Sequence, residues 1–304
     1  MKTATRDRLF EAACCAAAMV LLAAMAGLLA ALVWGGWPAL HRAGLTFLTS
    51  DVWDPAHDIY GAAGPIFGTL ATAVLAMLLA LPLALGVAVF LTELCPPPVG
   101  RAIGIAVELL AAIPSIVYGM WGLFVLAPWF AAHVQMPILV AAQPGSLLDR
   151  LFASIPNGAN ICTASLILAV MVLPYMASIF AELLRSVPIH MREAAYGMGA
   201  TSLEVLRFIL LPFIKRSAVG AVMLGLGRAL GETMAVTFII GNAHGFPKSL
   251  FDSGSTIAST IANEFAEATG DLHASALMAL GLVLFIITFT ALTGARLLIG
   301  REIH

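Results

Sequence analysis

Residues 181–216 read AELLRSVPIHMREAAYGMGATSLEVLRFILLPFIKR, with apolar, charge-poor stretches on either side at Ile161–Phe180 and Ser217–Gly241. Each flank is about the ~20 residues needed to cross the hydrocarbon core of a bilayer. The charged stretch between them is therefore a loop at a membrane surface, and its residues predict helices of its own. Pro188 suits the first turn of a helix that continues from Met191 to about Met198, with Glu193, Ala194 and Ala195 as strong helix formers. Gly197 and Gly199 allow a tight bend. Thr201-Ser202-Leu203-Glu204 has the capping-box pattern that opens a second helix. Leu203, Leu206, Phe208, Ile209 and Leu210 give that helix an apolar side, and Pro212 predicts a stop or kink before Lys215 and Arg216. A helix–turn–helix knob of this kind suits insertion into a cleft on another protein. It is equally an amphipathic segment lying in the membrane interface.

The whole chain is as apolar as these flanks. Of 304 residues, 61% are hydrophobic and 11% charged, against about 45–50% and about 25% in soluble domains. So few charges cannot cover a soluble surface, and the protein is predicted to be integral to a membrane. Further spans are predicted at Ala12–Val33, Phe67–Leu91, Ala102–Phe124 and Ala274–Leu298, giving an all-α bundle of six. Leu123–Ala142 is ambiguous. It is apolar but carries Pro128, His133, Gln135 and Pro137, with Pro144-Gly145 following. It is expected to be the end of the third span plus an interfacial or re-entrant piece; the alternative, a seventh span, would spoil the charge pattern of the loops. The basic head Lys2, Arg6 and Arg8 has the outline of a signal peptide, but the run after it exceeds the usual apolar region of about 7–15 residues. A retained first span is expected.

Six spans return the chain to the side where it began. That side receives eleven Lys and Arg residues, the other only Arg42, Arg150 and Lys248, and Arg228 is intramembrane. The excess predicts cytoplasmic N- and C-termini. The opposite loops carry eight acids, Asp51, Asp54, Asp58, Asp149, Asp252, Glu264, Glu267 and Asp271, so that face is net negative by five. Its two long loops, 34–66 and 242–273, have room for short helices that meet a soluble partner. The expected division is a head with the first span at 1–58 and a permease core at 59–304, with the knob at 185–216.

A net charge of −2 indicates no nucleic-acid surface. Cys14, Cys15, Cys95 and Cys162 show no metal spacing, and the seven histidines are scattered without a catalytic or zinc pattern. The chain has no GxxxxGK[ST] loop and therefore no usual route to ATP hydrolysis. No cofactor, metal site or catalytic residue is expected. No internal repeat stands out, so a transport pathway would need a second subunit.

Intramembrane charges cost about 2.5–3.5 kcal/mol each on insertion scales and must pair or line a wet path. Arg228 and Glu232 stand four apart in the fifth span, and Glu108 lies in the third. One possibility is an internal Arg228–Glu232 pair that only packs helices. The other puts Arg228 on a translocation path, its guanidinium offered to an oxyanion and partly neutralised by Glu232.

Two motifs carry a family resemblance. Glu193-Ala194-Ala195, Gly199, Ile209, Leu211 and Pro212 match at every fixed position the E-A-A loop of ABC-type importer membrane subunits. The resemblance implies the type I (MetI-like) fold and a knob that docks on a cytoplasmic ATPase. RALGET followed by Met-Ala-Val at 228–236, with IPSIVYG at 113–119, resembles the phosphate-specific importer permeases. The basic head, first span and long first outer loop resemble the PstC-type subunit rather than its PstA-type partner. This resemblance implies a bacterial inner (plasma) membrane subunit with passage residues at Arg228 and Glu232. Its implied partners are two copies of an ATP-binding subunit, a second homologous permease and a periplasmic phosphate-binding protein. Sulfate or molybdate permeases share the E-A-A loop and are the alternative. An ion-coupled secondary transporter is a further one, though paired repeats in one chain would be usual for it.

Overall fold

The computed structural model describes residues 2–142, 146, 151–152 and 154–300. Asp149, Arg150, Arg301 and the Pro144-Gly145 turn, all used above, lie outside the described residues. Helix α1 spans Lys2–Ala43, α2 Ala63–Val89, α3 Pro97–Ala111, α4 Ser115–Ala141 and α5 Ile161–Arg185. Then follow α6 at Ile189–Gly197, α7 at Ser202–Leu230, α8 at Met234–Ile239, α9 at Ile257–Glu264 and α10 at Asp271–Gly300. Six of these, α1, α2, α4, α5, α7 and α10, are long and apolar enough to cross a membrane. The strands β1 (Trp53–Asp54) and β2 (Ile59–Tyr60) pair antiparallel in the first long loop. The six-span helical class therefore holds.

Two spans lie elsewhere than the sequence predicts. The third is α4 at Ser115–Ala141, not Ala102–Phe124. The helix through Glu108 is α3, which stops at Ala111 before Pro114 takes an extended conformation and caps α4. The fifth is α7, which begins at Ser202 inside the knob and breaks at Gly231, well short of Gly241. Pro212 does not stop it.

One device explains both the ambiguous segment and Pro212. A helical proline lacks an N–H and collides with the carbonyl four residues back. A π-turn widens the helix by a residue and takes up that misfit. Gly122–Leu126 is a π-turn just before Pro128, Ala131–Gln135 before Pro137, and Leu206–Leu210 before Pro212. The chain crosses all three prolines without leaving a helical path. Gln135 is buried in α4, and its Oε1 accepts the Gly158 N–H at 2.8 Å.

The main core lies between α2 and α5. Ala73, Ala76, Ala80, Ala84 and Ala88 form one buried face of α2 against Ile161, Ala164, Leu168, Met171 and Val172 of α5. Small residues at this spacing let two helix backbones approach closely, which is how helices gain contact in lipid. A second core at the opposite end from the knob joins Phe47, Trp53 and Tyr60 to Ile257, Ala276, Leu277 and Leu280. There α1 meets α10: a Cβ on Gly36 would lie 3.0 Å from the Ala279 backbone. From Leu9 to Leu28 the large side chains of α1 are exposed, as lipid-facing residues should be.

Candidate functional site

The fifth span is discontinuous at the predicted charges. Arg228 occupies the last turn of α7, Gly231 caps it, and Glu232 stands in the break before α8. Glu232 turns towards α8, where its Oε1 accepts the Ala235 N–H at 3.2 Å. Among the described residues no ion pair joins Arg228 to Glu232. The shared face expected from their spacing is lost because the helix ends between them. Broken helices in membranes free backbone groups at the midplane and so make sites.

Arg228 instead points its guanidinium at Tyr175 of α5, 5.3 Å from the ring centroid. The face of an aromatic ring attracts a cation without neutralising it. The Nε of Arg228 is buried and without a hydrogen-bond partner. A half-buried guanidinium with no carboxylate partner among the described residues is chemically suited to receive an anion on its accessible side. Tyr175 was not legible as part of this site; its only signal was a hydroxylated ring next to Pro174 in an apolar span.

The other motif of the phosphate resemblance packs against the same break. Gly119 of α4 lies so close to α8 that a Cβ there would sit 3.0 Å from Ala235 Cα. A Cβ on Gly122 would meet Ile239 at 2.8 Å. The Tyr118 hydroxyl donates to the Leu110 carbonyl at 2.9 Å, tying α4 to α3 across the Pro114 break. Gly225 of α7 admits a neighbouring helix: a Cβ there would lie 2.6 Å from the Met176 sulfur. Glu108 is exposed on α3, not buried as its sequence context implied, because α3 is not a buried span.

The knob forms largely as read. Pro188 precedes α6, Gly199 has φ +87, and Thr201 and Glu204 make both bonds of the capping box. Its motif residues divide into two sets. Ala195 is buried, and Ile209 and Leu211 pack on the main core, whereas Glu193, Ala194 and Gly199 are exposed. The exposed side continues over Ile189, Met198 and Leu203. At its base Arg192 bonds Glu93 at 2.7 Å and the Leu184 carbonyl. That pair couples α6 to the π-turn Phe90–Leu94 at the end of α2, and neither partner was singled out in the sequence.

The opposite end carries a polar cluster that sequence reading also missed. Glu264, at the end of α9, accepts from the Trp53 indole N–H at 2.8 Å and bonds His273 at 2.7 Å and His244 at 3.1 Å. Trp53 stacks on His244, and Tyr60 on His273. Burial pushes the Tyr60 phenol up, helped by the charge of Asp58. Beside it, the His57 hydrogen bond holds Asp54 below the usual carboxylate range. Among the described residues no cluster has the makings of a metal site.

Comparison with known proteins bears on this arrangement. The family described as binding-protein-dependent transport system inner membrane component matches residues 81–301. The phosphate transport system permease protein PstC of Mesorhizobium japonicum is 50% identical over 98% of this chain and 91% of its own length. That of Haemophilus influenzae is 49% identical over 97% and 93%. PstC 2 of Mycobacterium tuberculosis is 38% identical over 100% and 95%. A bacterial ABC transporter involved in import of the acidic polysaccharide alginate shares the fold, with TM-score 0.61 at 16% identity over 100% of this chain and 99% of that one. So does an inward-facing MetNI methionine ABC transporter, with TM-score 0.57 at 16% identity over 79% and 95%.

Proposed function

We propose, from the premise that the chain belongs to the family of binding-protein-dependent transport system inner membrane components, that it is the membrane-spanning subunit of an ATP-driven inorganic phosphate importer. The observation that carries this is 50% identity over 98% of the chain with a phosphate transport permease. The chain is a multi-pass protein of the bacterial inner membrane, and ATP hydrolysis is assigned to two copies of a partner subunit. A second homologous permease completes the path, and a periplasmic phosphate-binding protein supplies it. The head at 1–58 and core at 59–304 remain the proposed division, with both termini cytoplasmic; a reporter fused after residue 304 recovered outside the cell would overturn that orientation.

In this mechanism the knob residues Glu193, Ala194 and Gly199 meet the ATPase, while Ala195, Ile209 and Leu211 seat the knob on the bundle and the exposed Pro212 follows the π-turn through which the knob runs on into the span. A displacement of α6 reaches α2 through the Arg192–Glu93 bond and reaches the broken span through α7, a rigid helix from Ser202 to Leu230. Arg228 is the passage cation. The π face of Tyr175 holds it without quenching its charge, so a phosphate oxygen competes with no carboxylate. Glu232 caps α8 and keeps a negative charge one turn beyond, which disfavours retention of the anion. Glu108, on the open face of α3, contributes to the path only where the second permease covers that face. The deciding experiment is reconstitution with the three candidate partners and ATP-dependent uptake of phosphate against sulfate. Equal uptake of the two would defeat the assignment to phosphate.

A further inference from the structure

A cavity of about 670 Å³ opens at the knob end. It lies between the π-turn Phe90–Leu94, the start of α3, the end of α5 and the start of α6. Arg101, Arg185 and Arg192 line it, with Thr92 and Ser186 between them. Arg192 is held by Glu93. Among the described residues Arg185 pairs only with Glu182, at 2.9 Å and with both side chains at least half exposed, and such pairs hold weakly in water. Arg101 is exposed and has no acidic partner among the described residues. Three cations against two carboxylates leave the cavity net positive. α6 begins at its wall without a side-chain cap, so the free N–H groups at the start of that helix add to the field. The exposed apolar side chains of Leu94, Val99 and Ile189 lie next to these lining segments.

We infer that this cavity binds a phosphate-bearing anion at the membrane surface, either the headgroup of an anionic phospholipid or free inorganic phosphate. Guanidiniums recognise phosphate oxygens through paired N–H donors. The volume exceeds what bare phosphate fills, and the apolar rim offers an acyl chain a place to lie. Both features favour the headgroup. The site is separate from Arg228 and Tyr175, and its occupancy needs no transport, so its failure would leave the importer assignment standing.

The test uses the full-length chain in neutral detergent. Native mass spectrometry counts retained phosphatidylglycerol and phosphatidylcholine, and equilibrium dialysis measures radiolabelled inorganic phosphate. The expected result is preferential retention of phosphatidylglycerol, weakened about tenfold in R101A/R185A by loss of two charge-assisted contacts and largely kept in R101K/R185K. The lysine pair also shows that the alanine variant fails by charge and not by misfolding. No lipid preference, but phosphate binding that depends on Arg101 and Arg185, identifies the free anion as the ligand. Lipid and phosphate binding that are both indifferent to the two arginines overturns the inference. Loss of the ATP-binding subunit from the assembled transporter in R101A/R185A, with lipid and phosphate binding by the chain unchanged, assigns the arginines to a protein contact and likewise overturns the inference.

Discussion

Gly119 stands directly against Ala235. A single methyl group on Gly119 would come within 3.0 Å of Ala235 Cα, 3.1 Å of the Phe238 ring and 3.2 Å of the Ala235 carbonyl. Two motifs more than a hundred residues apart thus meet at one point, where α4 braces the short helix beyond the break in the fifth span. The obstacle is mostly backbone, which cannot swing aside. Gly119→Ala should therefore cost about 1–3 kcal/mol, the usual range for overpacking, and Gly119→Val more. Thermal unfolding of the purified chain would show it. An unchanged midpoint for Gly119→Val would mean the two helices are not held together here.

Arg228 and Tyr175 make a graded set of variants possible. Arg228→Ala should abolish phosphate uptake while the subunits still assemble. Tyr175→Phe keeps the π face and should preserve uptake, whereas Tyr175→Leu frees the guanidinium and should lower uptake about two- to thirtyfold, matching the ~0.5–2 kcal/mol of a cation–π contact. Uptake assays in membranes with matched permease content would decide. Equal rates for the Phe and Leu variants would remove Tyr175 from the pathway.

Glu232 has two separable roles. Its carboxylate caps α8, and its charge lies two residues past the end of the arginine's helix. Glu232→Gln retains an acceptor for the Ala235 N–H, so stability should stay close to that of the natural chain while phosphate passage changes. Glu232→Ala removes the cap as well, with about 0.5–2 kcal/mol of destabilisation. If both variants transport normally, Glu232 serves only as a cap.

The knob was legible because its instructions are local. Pro188, Gly199 and the Thr201–Glu204 box act on backbone within four residues, so the sequence alone places them. The proline-bearing stretch from Leu123 to Ala142 was not, because proline is a breaker in an α-helix but not after a π-turn. A π-turn depends on packing that no short window reveals. The Arg228–Glu232 pairing failed for a related reason: helical spacing assumes a helix, and the chain breaks between them at Gly231. Tyr175 and the Glu264 cluster draw residues from separate elements, and nothing in spacing announces such a meeting. Six spans were countable because lipid demands apolar length whatever the tertiary structure.

Glu264 serves three donors from three segments. Glu264→Ala would leave the Trp53 indole N–H and the two imidazoles without their acceptor, each at about 1–3 kcal/mol where buried. The melting temperature should fall by several degrees, and limited proteolysis should cut the 44–62 loop faster while the knob is spared. Glu264→Gln keeps one acceptor oxygen and should lie between. Uniform proteolysis along the chain would show that the cluster does not pin this loop.

Exposure separates the residues of the knob that touch a partner from those that build it. Ala195 is 3% exposed and Met198 is 83% exposed, though only three positions apart. A charge at Ala195 would have to be buried, so Ala195→Asp should unfold the knob, and loss of transport there would say little about docking. Met198→Asp places the same charge in solvent on the uncovered side of the bend. It should leave the stability of the isolated chain within about 0.5 kcal/mol of unchanged, as for surface sites generally, while weakening co-purification of the ATP-binding subunit. A cleft built for an apolar side chain rejects an unpaired carboxylate. Crosslinking from a cysteine at 198 in the assembled transporter would then be expected to reach the ATPase. Full co-purification of the Met198→Asp complex with normal ATP-driven uptake would place the motor contact elsewhere on the molecule.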